Sequence, residues 1–361
     1  MKTLTITLHN TDNCGSSLQA FALQHYLLKN GIENQIIDYV PAYTKNNARP
    51  FRSFMRNLVF FKDYRKKEKK FSNFISKYLI LTTKKWTSYE DLKANPPIAD
   101  CYITGSDQLW NTMYSCGNDP AFYLFFTNRT KIAYAISMGR DKIPLKNIDL
   151  IKKYANDFKW ISFREQSSVF QLCSTLNCDL DYVCDPVLLN PIKDYDCIKC
   201  HRLFNYQYIL VYLAQKVNIK LIDDLISEVK KIYSGKIIFI GAYRNKCSCD
   251  INLRFASPEE FLSLIYNAEC IISNSFHATM FSMMYKKQFM TIIPPENGER
   301  IKMILRMMGL SKQAIEKDIE VSIISNEEYE QVLTKLNNFS IRSQQLLKTK
   351  INSFTKVKDG S

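Results

Sequence analysis

The chain opens on alternation: Thr3, Thr5 and Thr7 interleave with Leu4, Ile6 and Leu8, the period-two pattern of a strand. After the loop His9 to Gly15, Leu18, Phe21, Ala22, Tyr26 and Leu27 recur at helical spacing as far as Asn30-Gly31, which predicts a helix ending there. Ile36-Ile37 with Tyr39-Val40 make the next strand. A βαβ opening implies a parallel sheet. The same grammar continues, with strands expected at 99–104, 131–136, 160–163 and 179–184 and a helix over about 148–158. A polar, irregular stretch from Pro191 to Asn205 reads as a boundary. Beyond it strands are expected at 208–213, 236–240, 270–272 and 289–293. Helices are expected at 219–233, from Ser257-Pro258, after residue 272, and from Arg300 to Gly309. The reading is an α/β chain of two Rossmann-like domains, 1–195 and 196–325. Residues 326–361 are expected to form two basic-surfaced helices, one crossing back to the first domain.

In open parallel sheets, ligands sit at the carboxyl ends of strands, where helix N-termini offer N–H groups and a positive dipole end. Three such corners stand out. Cys270-Ile271-Ile272 breaks into Ser273, Asn274 and Ser275, and His277 falls on the first turn of the helix that follows. It is one of four histidines and the one best placed for acid–base work; the plainer alternative is a helix-start histidine satisfied by backbone. Gly105-Ser106-Asp107 closes the strand 99–104 with a polar lip, although Asp107 can equally cap a helix. Arg164 follows the strand 160–163 and offers a guanidinium fork to an anion, unless Glu165 or another carboxylate pairs with it.

Composition narrows the classes. The 361 residues are 46% apolar and 13% aromatic, which excludes wholesale disorder. No apolar run approaches the ~18–20 residues of a membrane span, and the first residues do not form a signal-peptide core, so a cytoplasmic protein is expected. Eleven cysteines, an odd number in a long chain, read as reduced thiols. The spacings Cys197-Ile198-Lys199-Cys200-His201 and Cys247-Ser248-Cys249 are taken as chance, and no metal site is expected. Gly15 stands alone and makes no dinucleotide fingerprint. The formal charge of +14 is concentrated. Between Arg49 and Trp86 twelve Lys/Arg face only Asp63 and Glu68, with six phenylalanines interleaved. This 49–86 excursion, expected to be helical, fits an anionic membrane surface or another polyanion, or simply a solvated basic face. Nucleic acid is not expected, since no recognition motif accompanies the charge.

Six separated stretches together resemble the polysaccharide pyruvyl transferase family. They are Asn13-Cys14-Gly15-Ser16-Ser17-Leu18-Gln19, Gly105-Ser106-Asp107-Gln108-Leu109-Trp110-Asn111, Ser162-Phe163-Arg164-Glu165, Asp185-Pro186-Val187-Leu188-Leu189, Asn274-Ser275-Phe276-His277-Ala278, and Arg300 ahead of Met308-Gly309-Leu310. The resemblance implies two Rossmann-like domains facing across a cleft, as in GT-B enzymes. It also implies transfer of the pyruvyl group of phosphoenolpyruvate onto two hydroxyls of a saccharide, in cell-surface or capsular polysaccharide biosynthesis, with no further cofactor. The acceptor would be a lipid-linked or polymer-repeat sugar, met at the membrane through 49–86. His277 matches the family's important histidine, and Asp107 would act as a base or bind the sugar. Arg164 and Arg300 would hold the anionic donor, and Asn13, Gly15, Ser106, Asn274 and Ser275 would line the substrates. Family members often carry an arginine two places before the histidine; here that position is Ser275, which makes Arg300 the expected replacement. The alternatives are a GT-B glycosyltransferase using a nucleotide sugar and a non-catalytic saccharide- or membrane-binding protein. A nucleoside diphosphate would stabilise the first, and His277→Ala would leave the second unaffected.

Overall fold

The computed structural model describes residues 1–45, 52–140, 142–241, 247–295 and 298–354. The chain forms two compact units, Met1–Asn190 with Phe339–Ser361, and Pro191–Asn338.

The first unit follows the order β1 (Lys2–Ile6), α1 (Cys14–Lys29), β2 (Glu33–Tyr39), α2 (Ala42–Lys45), α3 (Arg52–Tyr78), β3 (Leu81–Trp86), α4 (Tyr89–Ala94) and β4 (Cys101–Thr104). It continues with β5 (Thr130–Ile136), α5 (Leu145–Ala155), β6 (Trp160–Phe163), α6 (Gln166–Leu172) and β7 (Asp179–Tyr182). Its seven strands lie in the order β3-β2-β1-β4-β5-β6-β7, and every pairing is parallel. The strand order reverses between β1 and β4. That crevice is where open α/β sheets bind ligands.

The second unit comprises α7 (Ile192–Asp196), β8 (Tyr208–Tyr212), α8 (Ile219–Lys230), β9 (Lys236–Ile240), β10 (Ile251–Asn252), α9 (Pro258–Asn267) and β11 (Cys270–Ser273). Then come α10 (Phe276–Met284), β12 (Gln288–Ile292), α11 (Glu299–Met308), β13 (Ala314–Ile315) and, as far as Asn338, α12 (Asn326–Ser353). The parallel order β10-β9-β8-β11-β12-β13 places the reversal between β8 and β11. Every residue of β8 and β11 is buried, which is why both read as continuous apolar runs. A capping box between Ser257 and Glu260 starts α9, and Gly309, at φ +84, stops α11.

Two sequence expectations are corrected here. The excursion 49–86 is not helical throughout: Leu81–Trp86 is an edge strand paired with β2, with Lys84 and Lys85 outside. Edge lysines discourage further strand addition. Within α3, Phe71, Phe74 and Ile75 are buried, and Phe21 of α1 meets the rings of Phe74 and Tyr78 at 6.4 and 6.1 Å. Burying a phenylalanine stabilises by ~1.5–3 kcal/mol, so these rings hold the helix to α1 and do not face lipid. Arg49 and Phe51, and the side chains of Phe54, Phe60 and Phe61, lie outside the described residues. The second correction concerns the stretch 326–361, whose residues 355–361 lie outside the described residues: Asn326–Ser353 is one helix rather than two. Tyr329, Val332, Leu336, Ser340, Ser343, Leu347 and Ile351 form one buried stripe at three- and four-residue spacing, and no glycine or proline interrupts it. From Phe339 onward it belongs to the first unit, where Ser340 donates to Leu188 O and Cys184 N donates to Ser343 Oγ at 3.0 Å.

No disulfide joins the cysteines. Burial pushes the thiols of Cys101, Cys116, Cys184 and Cys270 up from 9.0 to about 12. Above pH 9 the unfolded chain loses these protons while the folded protein retains them, so stability should fall as pH rises from 9.0 to about 12. Melting temperature against pH checks this. Exposed Cys173 and Cys197 should be alkylated in the folded protein well before those four.

Candidate active site

In the first unit the polar residues gather at the carboxyl edge of the sheet, around the β1/β4 crevice. Gly105 turns the chain out of β4 at φ +133; a Cβ there would come within 2.0 Å of Tyr134 O, so only glycine fits. Asp107 follows with φ +86, a left-handed conformation uncommon for aspartate. It caps no helix. Its carboxylate accepts from Ser16 Oγ at 2.5 Å and from its neighbour Gln108 N at 2.9 Å, and Arg164 Nη2 lies 3.5 Å away. Donors on three sides make Asp107 a fixed acceptor at the crevice. Ser106 turns inward, donating to Ala135 O at 2.6 Å, while its N–H donates to Gln19 Oε1 at 3.1 Å.

Arg164 is not an open fork. Its guanidinium bonds Asp185, whose other oxygen accepts Val187 N at 3.0 Å, and the side chain is buried. Burial alone would lower its pKa, but Asp185, Asp107 and Glu165 outweigh that and leave it raised. The side chain is therefore a cationic strut between two carboxylates. Of the partners the sequence left open, Glu165 or another carboxylate, it is the latter that pairs; Glu165 accepts from Ser137 Oγ and from Met138 N at 3.3 Å. Asn13 stands exposed and caps α1, accepting from Gly15 N and Ser16 N at 2.8 and 3.2 Å. That cap starts α1 where Ser16 reaches Asp107 and Gln19 reaches Ser106.

In the second unit the β8/β11 reversal carries Asn274, Ser275 and His277. Asn274 is buried and clamps the segment after β8: it accepts from Ala214 N at 2.8 Å and Gln215 N at 3.3 Å and donates to Gln215 O at 2.9 Å. Its amide shapes the loop. Ser275 caps α10, accepting Ala278 N at 3.4 Å, and so occupies the expected arginine position with a structural hydroxyl. His277 sits in the first turn, 7% exposed, its ring edge-on to Phe276 at 5.5 Å and 88°. The Arg300 guanidinium lies over that same Phe276 ring, 5.3 Å from its centroid. The fold thus gathers an imidazole, a guanidinium and a helix N-terminus around one aromatic ring.

Sequence reasoning gave no role to Ser16, Gln19 or Asp185. A signal existed for the first pair: α1 is buried on nearly every side, so polar Ser16 and Gln19, three residues apart on one face, need partners. It also passed over His9, which is fully buried with Nε2 3.2 Å from Asp38 Oδ1.

Two parallel-sheet α/β units define a GT-B-like enzyme fold, and solved structures share it. UDP-GlcNAc 2-epimerase from Neisseria meningitidis bound to UDP-GlcNAc aligns with TM-score 0.55 and 14% identity over 96% of this chain and 100% of that one. The S. aureus MnaA–UDP co-structure gives 0.54 and 10% over 95% and 90%, and UDP-N-acetylglucosamine 2-epimerase from Rickettsia bellii 0.51 and 14% over 100% and 98%. Comparison with curated proteins gives no match. The family model for polysaccharide pyruvyl transferase matches residues 13–294; the chain belongs to that family and is a transferase.

Proposed function

We propose that the protein transfers the pyruvyl group of phosphoenolpyruvate to two hydroxyls of a saccharide, forming a ketal, without a further cofactor. The observation that carries this reading is the cluster of His277, Phe276 and Arg300 at the first turn of α10. Phosphoenolpyruvate is small and doubly anionic, which suits a guanidinium beside a helix N-terminus. His277 protonates the donor's methylene carbon, and C2 becomes electrophilic. A sugar hydroxyl adds to C2 and gives up its proton; the C2–O bond to phosphate breaks, and the second hydroxyl closes the ring as its proton leaves. Asp107, set as an acceptor, takes a hydroxyl proton or orients the sugar. The saccharide is lipid-linked and met at the cytoplasmic face of an anionic membrane.

Phosphate release from phosphoenolpyruvate, with galactosyl or N-acetylmannosaminyl acceptors, tests the reading. Absence of release with every acceptor, together with a melting temperature unmoved by phosphoenolpyruvate, defeats it. A second reading, a nucleotide-sugar glycosyltransferase, draws support from the UDP-GlcNAc bound in the Neisseria neighbour; it requires stabilisation by UDP instead. Loss of a charge-assisted contact worth ~1.5–3 kcal/mol predicts that Arg300→Ala raises KM for phosphoenolpyruvate roughly 10- to 100-fold, with a smaller fall in kcat. Initial rates across donor concentration check it.

A further inference from the structure

We propose that a patch formed by Met113, Tyr114 and Leu145, with Arg140, Lys142 and Lys146, docks the first unit onto an anionic lipid surface. This deepens the reading above, in which the acceptor is lipid-linked. Among the described residues no helix is long and apolar enough to cross a membrane.

The patch is built rigidly. Asn111 Nδ2 donates to Gln108 Oε1 at 2.8 Å, and Asn111 Oδ1 accepts Met113 N at 3.1 Å. Asn111 O accepts Tyr114 N at 3.0 Å, and a Cβ on Gly117 would approach that carbonyl to 2.2 Å. Asn147, in the first turn of α5, bonds the Thr112 hydroxyl and donates to Trp110 O at 3.0 Å, clipping this loop to the helix start. On this clipped loop and helix start Met113 is 54%, Tyr114 47% and Leu145 80% exposed. An order so thoroughly bonded does not leave three large apolar side chains in water by slackness. Lys142 and Lys146 are exposed and Arg140 partly so, against exposed Asp149 one turn along α5 and Asp141, which lies outside the described residues. Apolar tips flanked by lysines, whose stems can snorkel to headgroups, suit a negatively charged bilayer interface better than a protein groove.

Position adds the second argument. The loop leaves the carboxyl end of β4, and Gln108 N donates to Asp107, so the patch lies on the edge that holds the candidate carboxylate. A lipid-borne sugar would be delivered there. The basic excursion is built differently. Lys66, Lys69, Lys70 and Lys77 form a lysine stripe on α3, whose apolar stripe is spent on Phe21. Charge alone gives weak, fully salt-screened attachment.

Co-sedimentation with phosphatidylcholine vesicles, with and without about 30% phosphatidylserine, tests the assignment with no donor or acceptor present. The full chain should bind the anionic vesicles at least tenfold better. At about 1 kcal/mol per basic residue, Lys142→Gln with Lys146→Gln should weaken binding roughly 30-fold at low salt. Met113→Ser, Tyr114→Ser and Leu145→Ser together should weaken it roughly tenfold or more at low and high salt alike. The quadruple Lys→Gln variant of the α3 stripe should stay within about threefold. No binding by the full chain, unchanged binding by the apolar triple variant, or loss confined to the stripe variant overturns the proposal. Phosphate release with a water-soluble saccharide, which the patch variants should retain, separates this outcome from failure of the pyruvyl-transfer reading.

Discussion

His277→Ala is expected to lower kcat for phosphate release about 10²–10⁴-fold, the range for loss of a positioned general acid, while KM for phosphoenolpyruvate changes by less than about threefold. The asymmetry follows from the geometry. Arg300 and the α10 N-terminus, proposed above to bind the donor's charge, survive the substitution, whereas the proton for the methylene carbon has no other imidazole in the first turn. The fold should survive as well, because Ser275 keeps the cap and Phe276 keeps its place under Arg300. A melting temperature within a few degrees of the parent is the control. A variant that keeps kcat within threefold would remove His277 from the chemistry, and the proposed mechanism with it. Steady-state kinetics at saturating acceptor decide the matter.

Arg164→Ala should destabilise the first unit by about 3–5 kcal/mol, because it strands the fully buried Asp185 and leaves Asp107 short of a cation. Lysine is no substitute: a single ammonium cannot span both carboxylates as the planar fork does. Arg164→Lys should therefore fold but lose kcat, since Asp107 is no longer held. Removing both charges, Arg164→Met with Asp185→Asn, should recover most of the stability without restoring activity. Urea unfolding of the three variants measures this. If Arg164→Ala unfolds within 1 kcal/mol of the parent and instead raises KM for the donor, the guanidinium is a ligand and the strut assignment is wrong.

Much of the fold was legible because sheet and helix periods are local. The strands Trp160–Phe163 and Lys236–Ile240 lie where their apolar runs ended, and α11 stops at Gly309 as its sequence demanded. β3 was hidden because Lys84 and Lys85 make an edge strand look like solvated helix. The single C-terminal helix was obscured because its buried stripe is sparse within a basic surface. His277, Asp107 and Arg164 were located through one rule, polar groups at strand ends, while Arg300, Asn13 and Gly15 came from the family resemblance; the structure does set Ser106, Asp107, Arg164, Ser275 and His277 at strand ends.

Their partners were a different matter. That Arg164 bonds Asp185, 21 positions later, rather than its neighbour Glu165 depends on β6 and β7 lying side by side. That Asn274 spends its amide on Ala214 and Gln215 depends on β8 pairing with β11. By itself the sequence determined the two parallel-sheet α/β units, the chemistry available at their edges and the family, because each is written in short-range pattern. Only the tertiary structure decided which of those charged and polar groups hold one another and which are set beside a common ring, because hydrogen bonds and ion pairs act over a few ångströms and the chain brings those atoms together only when the sheets form.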